Sequence, residues 1–149
     1  RDVAPSRGLG DVYKRQIVKD VIMRMQKTFR DIVKKDGTFI APDDFSEVID
    51  NGKAFIDPGV KMGEGWLLTG EVVSLIKSGV TNVISAQPFG CLPNHIVAKG
   101  MVRKIKDEYP KANIVAIDYD PSASKVNQEN RIRLMLANAK LSEEMKASI

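Results

Sequence analysis

The stretch NVISAQPFGCLPNHIVAKGMVRKIKDEYPKANIVAIDYD, residues 82–120, decides the fold. It opens with a short run at 82–87 that favours a β-strand and closes with a second such run at 113–120. A helical pattern over 95–109 lies between them and stops at Pro110. Strand, helix and strand in this order predict two parallel strands joined by a right-handed crossover. The apolar run at 114–117 is typical of a strand buried on both faces.

Helical patterns occupy most of the remaining chain. One begins at Ile17 and is closed by Gly37, and a short one has Asp43 or Asp44 near its start and Gly52 beyond its end. A further helix is predicted from Trp66 to a Gly79 cap, and another within 120–140 after an acidic and hydroxyl-rich cap region, with a frayed polar tail at 141–149. Since two strands do not make a stable sheet alone, another strand must come from upstream sequence or another chain. The fold class we expect is α/β, three-layer and Rossmann-like with parallel strands, in an incomplete C-terminal fragment.

The opening residues 1–16 do not resemble the rest of the chain. RGLGDVYKRQ, residues 7–16, has two glycines and no helical or strand repeat, so we expect it to be disordered. The string SRGLGDVYKRQ also resembles translated sequencing-adapter read-through at the ends of truncated reading frames. We therefore expect a non-native or disordered extension at 1–16, followed by an α/β segment at 17–140.

Composition excludes several classes of function. The formal charge of +4 is spread over interleaved acidic and basic side chains, and no basic patch with aromatic residues appears, which argues against nucleic-acid binding. No apolar run is long enough to cross a membrane, and the start lacks the apolar core of a secretory signal. A single cysteine cannot form an internal disulfide, so a reducing, cytoplasmic setting is expected.

The loop after the first strand carries the main chemical candidate, Cys91. Parallel α/β sheets bind ligands where strands end and helices begin. The loop residues around the thiol are Pro88, Phe89, Gly90, Pro93, Asn94 and His95. Cys91 could be a small buried residue, a nucleophile whose thiolate is favoured by His95 and a helix N-terminus, or a metal ligand. Neither a zinc site nor an iron–sulfur cluster can be built from one Cys and one His.

Three other places offer weaker candidates. Gly63, Glu64 and Gly65 precede a helix, where backbone N–H groups can bind an anion, although the Glu would repel it. Asp118 and Asp120 end the second strand and could bind a ribose or a metal, or cap the next helix. Asn127 and Gln128 belong to a polar cluster on the last helix that meets either solvent or a ligand.

The segment 63–140 resembles the C-terminal end of the proteins related to the activases of 2-hydroxyacyl-CoA dehydratases, a family of anaerobic metabolism. GEGWLLTGE, QPFGCLPNH and AIDYDPSAS with VNQENRI are the stretches that carry the resemblance, which extends over roughly residues 17–140. Long members of the family join ATPase domains of the sugar kinase/Hsp70/actin type to a segment resembling the dehydratase subunits.

The resemblance implies that Cys91 is one ligand of an iron–sulfur cluster, expected to be [4Fe–4S], with the other ligands outside this chain. His95 would then organise the loop rather than bind iron. The partners implied are upstream domains of the same parent protein or a partner subunit, with an acyl-CoA or another small molecule as substrate. The ATP site would lie upstream, and the implied chemistry is ATP-dependent delivery of one low-potential electron to a 2-hydroxyacyl-CoA.

Two other hypotheses stay open at this point. The chain could be an α/β binding or scaffolding module with a structural Cys91 and no catalysis of its own. It could also be a thiol enzyme that uses Cys91 and His95. Neither alternative depends on the family resemblance.

Overall fold

The computed structural model describes residues 9–119 and 124–147. They form a mixed α/β structure that is 65% helical, with a two-stranded parallel sheet. The helices are α1 (Leu9–Asp36), α2 (Phe45–Lys53), α3 (Trp66–Lys77), α4 (Lys99–Glu108) and α5 (Lys125–Ala147), and the strands are β1 (Asn82–Gln87) and β2 (Asn113–Asp118). A π-helical turn, Pro93–Ala98, leads directly into α4. The chain divides into two compact units, residues 1–42 and 43–149.

The first unit contains α1, which begins at Leu9 rather than at Ile17. A regular element was not expected over residues 9–16. Adding a residue to an existing helix costs far less than starting one, so the strong pattern from Ile17 onward supports the preceding turns. Gln16 also donates a hydrogen bond to Asp20 one turn later (2.8 Å). Residues 1–8 of the predicted extension lie outside the described part of the chain.

In the second unit, the predicted sheet is confirmed. β1 and β2 are parallel, with Val83 opposite Ile114 and Gln87 opposite Asp118. One core cluster contains Val73 of α3, Val83, Ile105 of α4, Ala112 and Ile114. β2 buries Ile114, Ala116 and Ile117, whereas Ile84 in the middle of β1 is 47% exposed. The expected burial of β2 is therefore largely present, while one face of β1 is open.

Helices α2 and α3 pack through glycines. A Cβ at Gly70 would lie 2.5 Å from the Val48 carbonyl oxygen, and one at Gly52 would lie 3.1 Å from the Trp66 ring. Gly52 was expected beyond the end of its helix but lies in the last turn of α2, because the contact with α3 requires a residue without a side chain there. Asp44 begins α2 with a capping box completed by Glu47, as its sequence favours.

Two helix ends also differ in detail from expectation. Ser78 is the C-cap of α3, and Gly79 follows it with φ +98°, where its N–H bonds the Ile76 carbonyl. α5 continues through Ala147, although its last turns were expected to fray. None of the helices within 9–119 and 124–147 combines the length and apolar character that a membrane crossing requires.

Candidate functional site

The candidate site lies at the carboxyl edge of the sheet. The parallel register places Gln87, the last residue of β1, beside Asp118, the last residue of β2. The Tyr119 N–H continues the ladder with a hydrogen bond to the Gln87 carbonyl oxygen (2.7 Å). Side chains from the two strand ends therefore meet where parallel sheets commonly bind ligands.

Three polar side chains meet at this edge. Gln87 Nε2 donates a hydrogen bond to Asp118 Oδ1 at 2.6 Å and lies 3.2 Å from His95 Nε2. His95 Nε2 and Asp118 Oδ1 are themselves 3.2 Å apart. Gln87 is 1% exposed, whereas the His95 and Asp118 side chains are 24% and 30% exposed. Within this cluster Gln87 is therefore buried in the core, whereas His95 and Asp118 are accessible to solvent.

The loop between β1 and the π-helical turn presents the thiol. The Cys91 N–H bonds the Pro88 carbonyl (3.3 Å), and Gly90 has φ +77° within this turn. The Cys91 sulfur accepts a hydrogen bond from Asn94 Nδ2 at 3.1 Å and is half-buried. The loop therefore holds the sulfur through both backbone and side-chain contacts.

His95 links the thiol loop to the strand-end cluster. Its Nδ1 lies 3.1 Å from the Cys91 carbonyl oxygen, and its backbone N–H bonds the same oxygen (2.9 Å). Phe89, which is 73% exposed, places its ring at right angles to the imidazole with 5.9 Å between ring centroids. Both imidazole nitrogens thus face groups other than the Cys91 sulfur. This arrangement weakens the hypothesis of a thiol enzyme that uses His95 as its base.

The electrostatics of the edge favour an ionised Asp118. The hydrogen bond from Gln87 is the main reason that the pKa of Asp118 lies below its ordinary value, and the charges of His95, Lys99 and Arg131 act in the same direction. Desolvation opposes these effects. A carboxylate is therefore available at the end of β2 over the physiological pH range.

The loop before α3, Gly63-Glu64-Gly65 (the GEG loop), lies against the π-helical turn that carries His95. A Cβ at Gly63 would lie 2.9 Å from Pro93 Cγ, so the GEG loop and the π-helical turn are in close approach. Gly65 has φ +46°, and a Cβ there would lie 2.1 Å from the Val60 carbonyl oxygen. Partial burial, with the nearby charge of Glu64, raises the pKa of Glu71. The carboxyl groups of Glu64, within the GEG loop, and of Glu71 do not favour an anion there.

The remaining predicted residues divide between the site and the surface. Gln128 donates a hydrogen bond to the Asp118 carbonyl oxygen (2.9 Å), whereas Asn127 is exposed. Asp120 lies outside the described residues. Gln87 was not predicted as a site residue. The signal that could have identified it is its place at the end of the first predicted strand, because in a parallel pair the ends of the two strands lie side by side.

The thiol fits one ligand position of an iron–sulfur cluster, but not a whole ligand set. It is partly accessible, lies in the loop that follows β1, and accepts an N–H···S hydrogen bond of the type that influences cluster potentials. Among the described residues, no three His, Cys, Asp or Glu side chains come together in a group that could hold a metal ion.

The chain was compared with protein-family models, curated protein sequences and solved structures. No protein-family model, curated protein sequence or solved structure matches the chain.

Proposed function

We propose that this chain is a segment of an iron–sulfur redox protein related to the activases and subunits of 2-hydroxyacyl-CoA dehydratases. Its contribution is the Cys91 thiolate, one ligand of a [4Fe–4S] cluster. The observation that carries the proposal is the Cys91 sulfur itself, which lies in the loop after the first strand of a parallel sheet and accepts a hydrogen bond from Asn94.

The chemistry of the loop supports this role. A thiolate ligand gains from an amide N–H donor because the hydrogen bond offsets the negative charge on sulfur. His95 Nδ1 contacts the carbonyl oxygen of Cys91, and this contact restrains the Cys91 backbone that carries the thiol. A bound cluster would supply one-electron transfer, and the polar groups at the strand ends would orient a substrate such as an acyl-CoA.

The remaining ligands belong to upstream domains of the parent protein or to a partner subunit. The same source would supply the strands and helices that complete a three-layer, Rossmann-like fold, since the described sheet has only two strands and leaves Ile84 half exposed. A cytoplasmic setting and an ATP-dependent electron donor complete the proposal. A parent protein of this kind would deliver or use one low-potential electron.

The first experiment is long-read sequencing of the source DNA across the codon for Ile17. We expect an open reading frame that continues upstream through cysteine-bearing α/β segments. The full-length protein is then purified without oxygen, and its iron, labile sulfide and electron paramagnetic resonance spectrum are measured. Cys91→Ser should lower the iron content and increase oxygen sensitivity, whereas Ser142→Ala, an exposed change on α5, should do neither.

A scaffolding role for the chain is the second candidate. It is favoured by the open face of β1, where Ile84 is available for packing against another chain. In that case Cys91→Ser would leave the iron content of the parent protein unchanged. A free-standing reading frame that starts just before residue 1, with no cysteine-bearing partner, would also favour this candidate over the redox role.

A further inference from the structure

The imidazole of His95 has its proton position fixed by the backbone. Nδ1 faces the Cys91 carbonyl oxygen at 3.1 Å, and a carbonyl oxygen can only accept a hydrogen bond. Nδ1 therefore carries the proton, and Nε2 of the neutral ring presents a lone pair. Histidines that bind metals commonly hold their second ring N–H in this way, on a backbone carbonyl or a carboxylate.

The lone pair of His95 Nε2 lies close to a carboxylate oxygen. Asp118 Oδ1 is 3.2 Å away, and it too is an acceptor. Two acceptors at this distance repel each other unless a hydrogen or a positive charge lies between them. The amide of Gln87 can donate one hydrogen to each of these atoms, but in that orientation its buried Oε1 is left without a hydrogen-bond partner.

The three side chains form a triangle of the size that a metal ion requires. Its edges, measured between Gln87 Nε2, His95 Nε2 and Asp118 Oδ1, are 2.6, 3.2 and 3.2 Å. Ligand atoms on one face of an octahedral ion with bonds of about 2.1 Å are separated by about 3 Å. Without an ion, Gln87 Nε2 donates to Asp118. On binding, a half turn of the Gln87 amide would put Oε1 in the place of Nε2, so that all three corners offer a lone pair to the ion.

We propose that His95 Nε2, Asp118 Oδ1 and Gln87 Oε1 bind a divalent transition-metal ion, at a site distinct from the Cys91 sulfur. One imidazole nitrogen with two oxygen donors suits ions such as Zn²⁺, Co²⁺ or Mn²⁺, with water in the remaining positions. The partial exposure of His95 and Asp118 leaves a path for entry. The inference does not rest on the iron–sulfur proposal, because binding at these residues needs no cluster.

The nearby cations limit the affinity of this site. Lys99 and Arg131 act on the Asp118 carboxylate and oppose a further positive charge. Arg131 is held by a hydrogen bond from Nη1 to the Ala116 carbonyl (3.1 Å), so it does not occupy the triangle itself. We therefore expect reversible binding that chelators remove, rather than a permanently held ion.

The chain allows an unambiguous test, because His95 is its single histidine. The complete chain without an affinity tag is labelled with ¹⁵N and titrated with Zn²⁺, and Co²⁺ absorption gives a second measurement. We expect Zn²⁺ to shift the Nε2 resonance while Nδ1 stays protonated. Asp118→Asn should weaken binding at least tenfold, and His95→Gln should abolish the Co²⁺ spectrum. Gln87→Glu, which adds a charged oxygen donor, should strengthen binding.

Two control variants locate the site. Cys91→Ser and Asp107→Asn, an exposed carboxylate on α4, should leave the zinc affinity unchanged. Loss of binding in Cys91→Ser would assign the ion to the thiol and overturn the proposal. No Nε2 shift up to millimolar Zn²⁺ in the folded wild type would also overturn it, since the pair would then be bridged only by a proton or by Gln87. If Gln87→Glu does not fold, the wild type and Asp118→Asn still decide the question.

Discussion

Asp118 owes its properties to residues that are distant in sequence. Gln87, 31 positions earlier, donates the hydrogen bond that contributes most to the low pKa of this carboxyl. Arg131 and Gln128 reach the same end of β2 from α5, through the carbonyl oxygens of Ala116 and Asp118. A single aspartate thus reports whether β1, β2 and α5 are correctly assembled.

The lowered pKa of Asp118 gives a pH-dependent contribution to stability. The contribution is complete above the unfolded-state pKa near 3.8 and is lost as the pH falls through the lower folded-state value. Asp118→Asn should therefore destabilise the protein most above about pH 5, and the difference from wild type should shrink towards pH 3. Urea unfolding across this range measures it. An equal difference at both ends would contradict the assignment, and Asp107→Asn provides the control.

Glu71 should show the opposite dependence. Its pKa is raised above 4.5, mainly by burial and also by Glu64, so ionisation of Glu71 opposes folding. Glu71→Gln should stabilise the protein at pH 7, and the gain should vanish as the pH falls through the folded-state pKa towards 4.5. The same unfolding series measures this, with Glu64→Gln expected to give a smaller gain of the same sign. A destabilised Glu71→Gln at pH 7 would show that the carboxylate has a favourable partner.

The Asn94 amide should control the reactivity of the thiol. It donates a hydrogen bond to the Cys91 sulfur at 3.1 Å, which restrains the side chain and occupies part of the sulfur's acceptor capacity. We expect Asn94→Ala to speed alkylation of Cys91 by iodoacetamide several-fold at neutral pH, because the sulfur is then more available to the reagent. Because the chain has one cysteine, mass spectrometry of the whole protein follows the reaction. Asn127→Ala, an exposed asparagine on α5, is the matched control, and an unchanged rate in Asn94→Ala would show that the contact is incidental.

At the scale of elements, the contact between α2 and α3 depends on glycine. These helices also share a buried hydrogen bond from Asn51 Nδ2 to Ser74 Oγ (2.8 Å), so any separation breaks a polar contact as well as packing. Trp66 begins α3 and lies against Phe45 of α2 with 6.4 Å between ring centroids. The pair positions the GEG loop that precedes α3.

Gly70→Ala should force α2 and α3 apart. The added Cβ would meet backbone rather than a movable side chain, 2.5 Å from the Val48 carbonyl oxygen. We expect a loss of about 1–3 kcal/mol in the free energy of unfolding. Gly100→Ala is the control, because nothing lies within 4 Å of a Cβ there and helix propensity predicts a gain of up to about 1 kcal/mol. Equal effects of the two substitutions would contradict this packing. Urea denaturation of both variants provides the measurement.

At the scale of the whole molecule, the small size of the sheet limits the stability of the second unit. The second unit has a sheet of only two strands, and such sheets are marginal without additional layers. We expect a free energy of unfolding below about 5 kcal/mol for this unit. Urea unfolding followed by the fluorescence of Trp66, the single tryptophan, measures it. A value near 10 kcal/mol would contradict the expectation of an incomplete fold.

The sequence by itself determined the elements of the second unit and their parallel pairing. Apolar periodicity and turn residues located β1 at 82–87 and a β2 that ends at Asp118, two residues before the predicted limit, since these signals are local in the chain. It also predicted Cys91, His95 and Asp118 as candidates, because residues at and after the ends of parallel strands converge at one edge. Periodicity did not reveal that α1 starts at Leu9 or that Gly52 lies inside α2.

Only the tertiary structure decided which atoms meet. The closeness of Gln87, His95 and Asp118 depends on the register of two strands separated by a helix, and the sequence does not encode that register locally. The orientation of His95 away from the Cys91 sulfur depends on how a π-helical turn begins at Pro93, a detail of hydrogen bonding that no residue pattern specifies. Local periodicity therefore determined the elements of this protein, whereas packing across the sheet determined its chemistry.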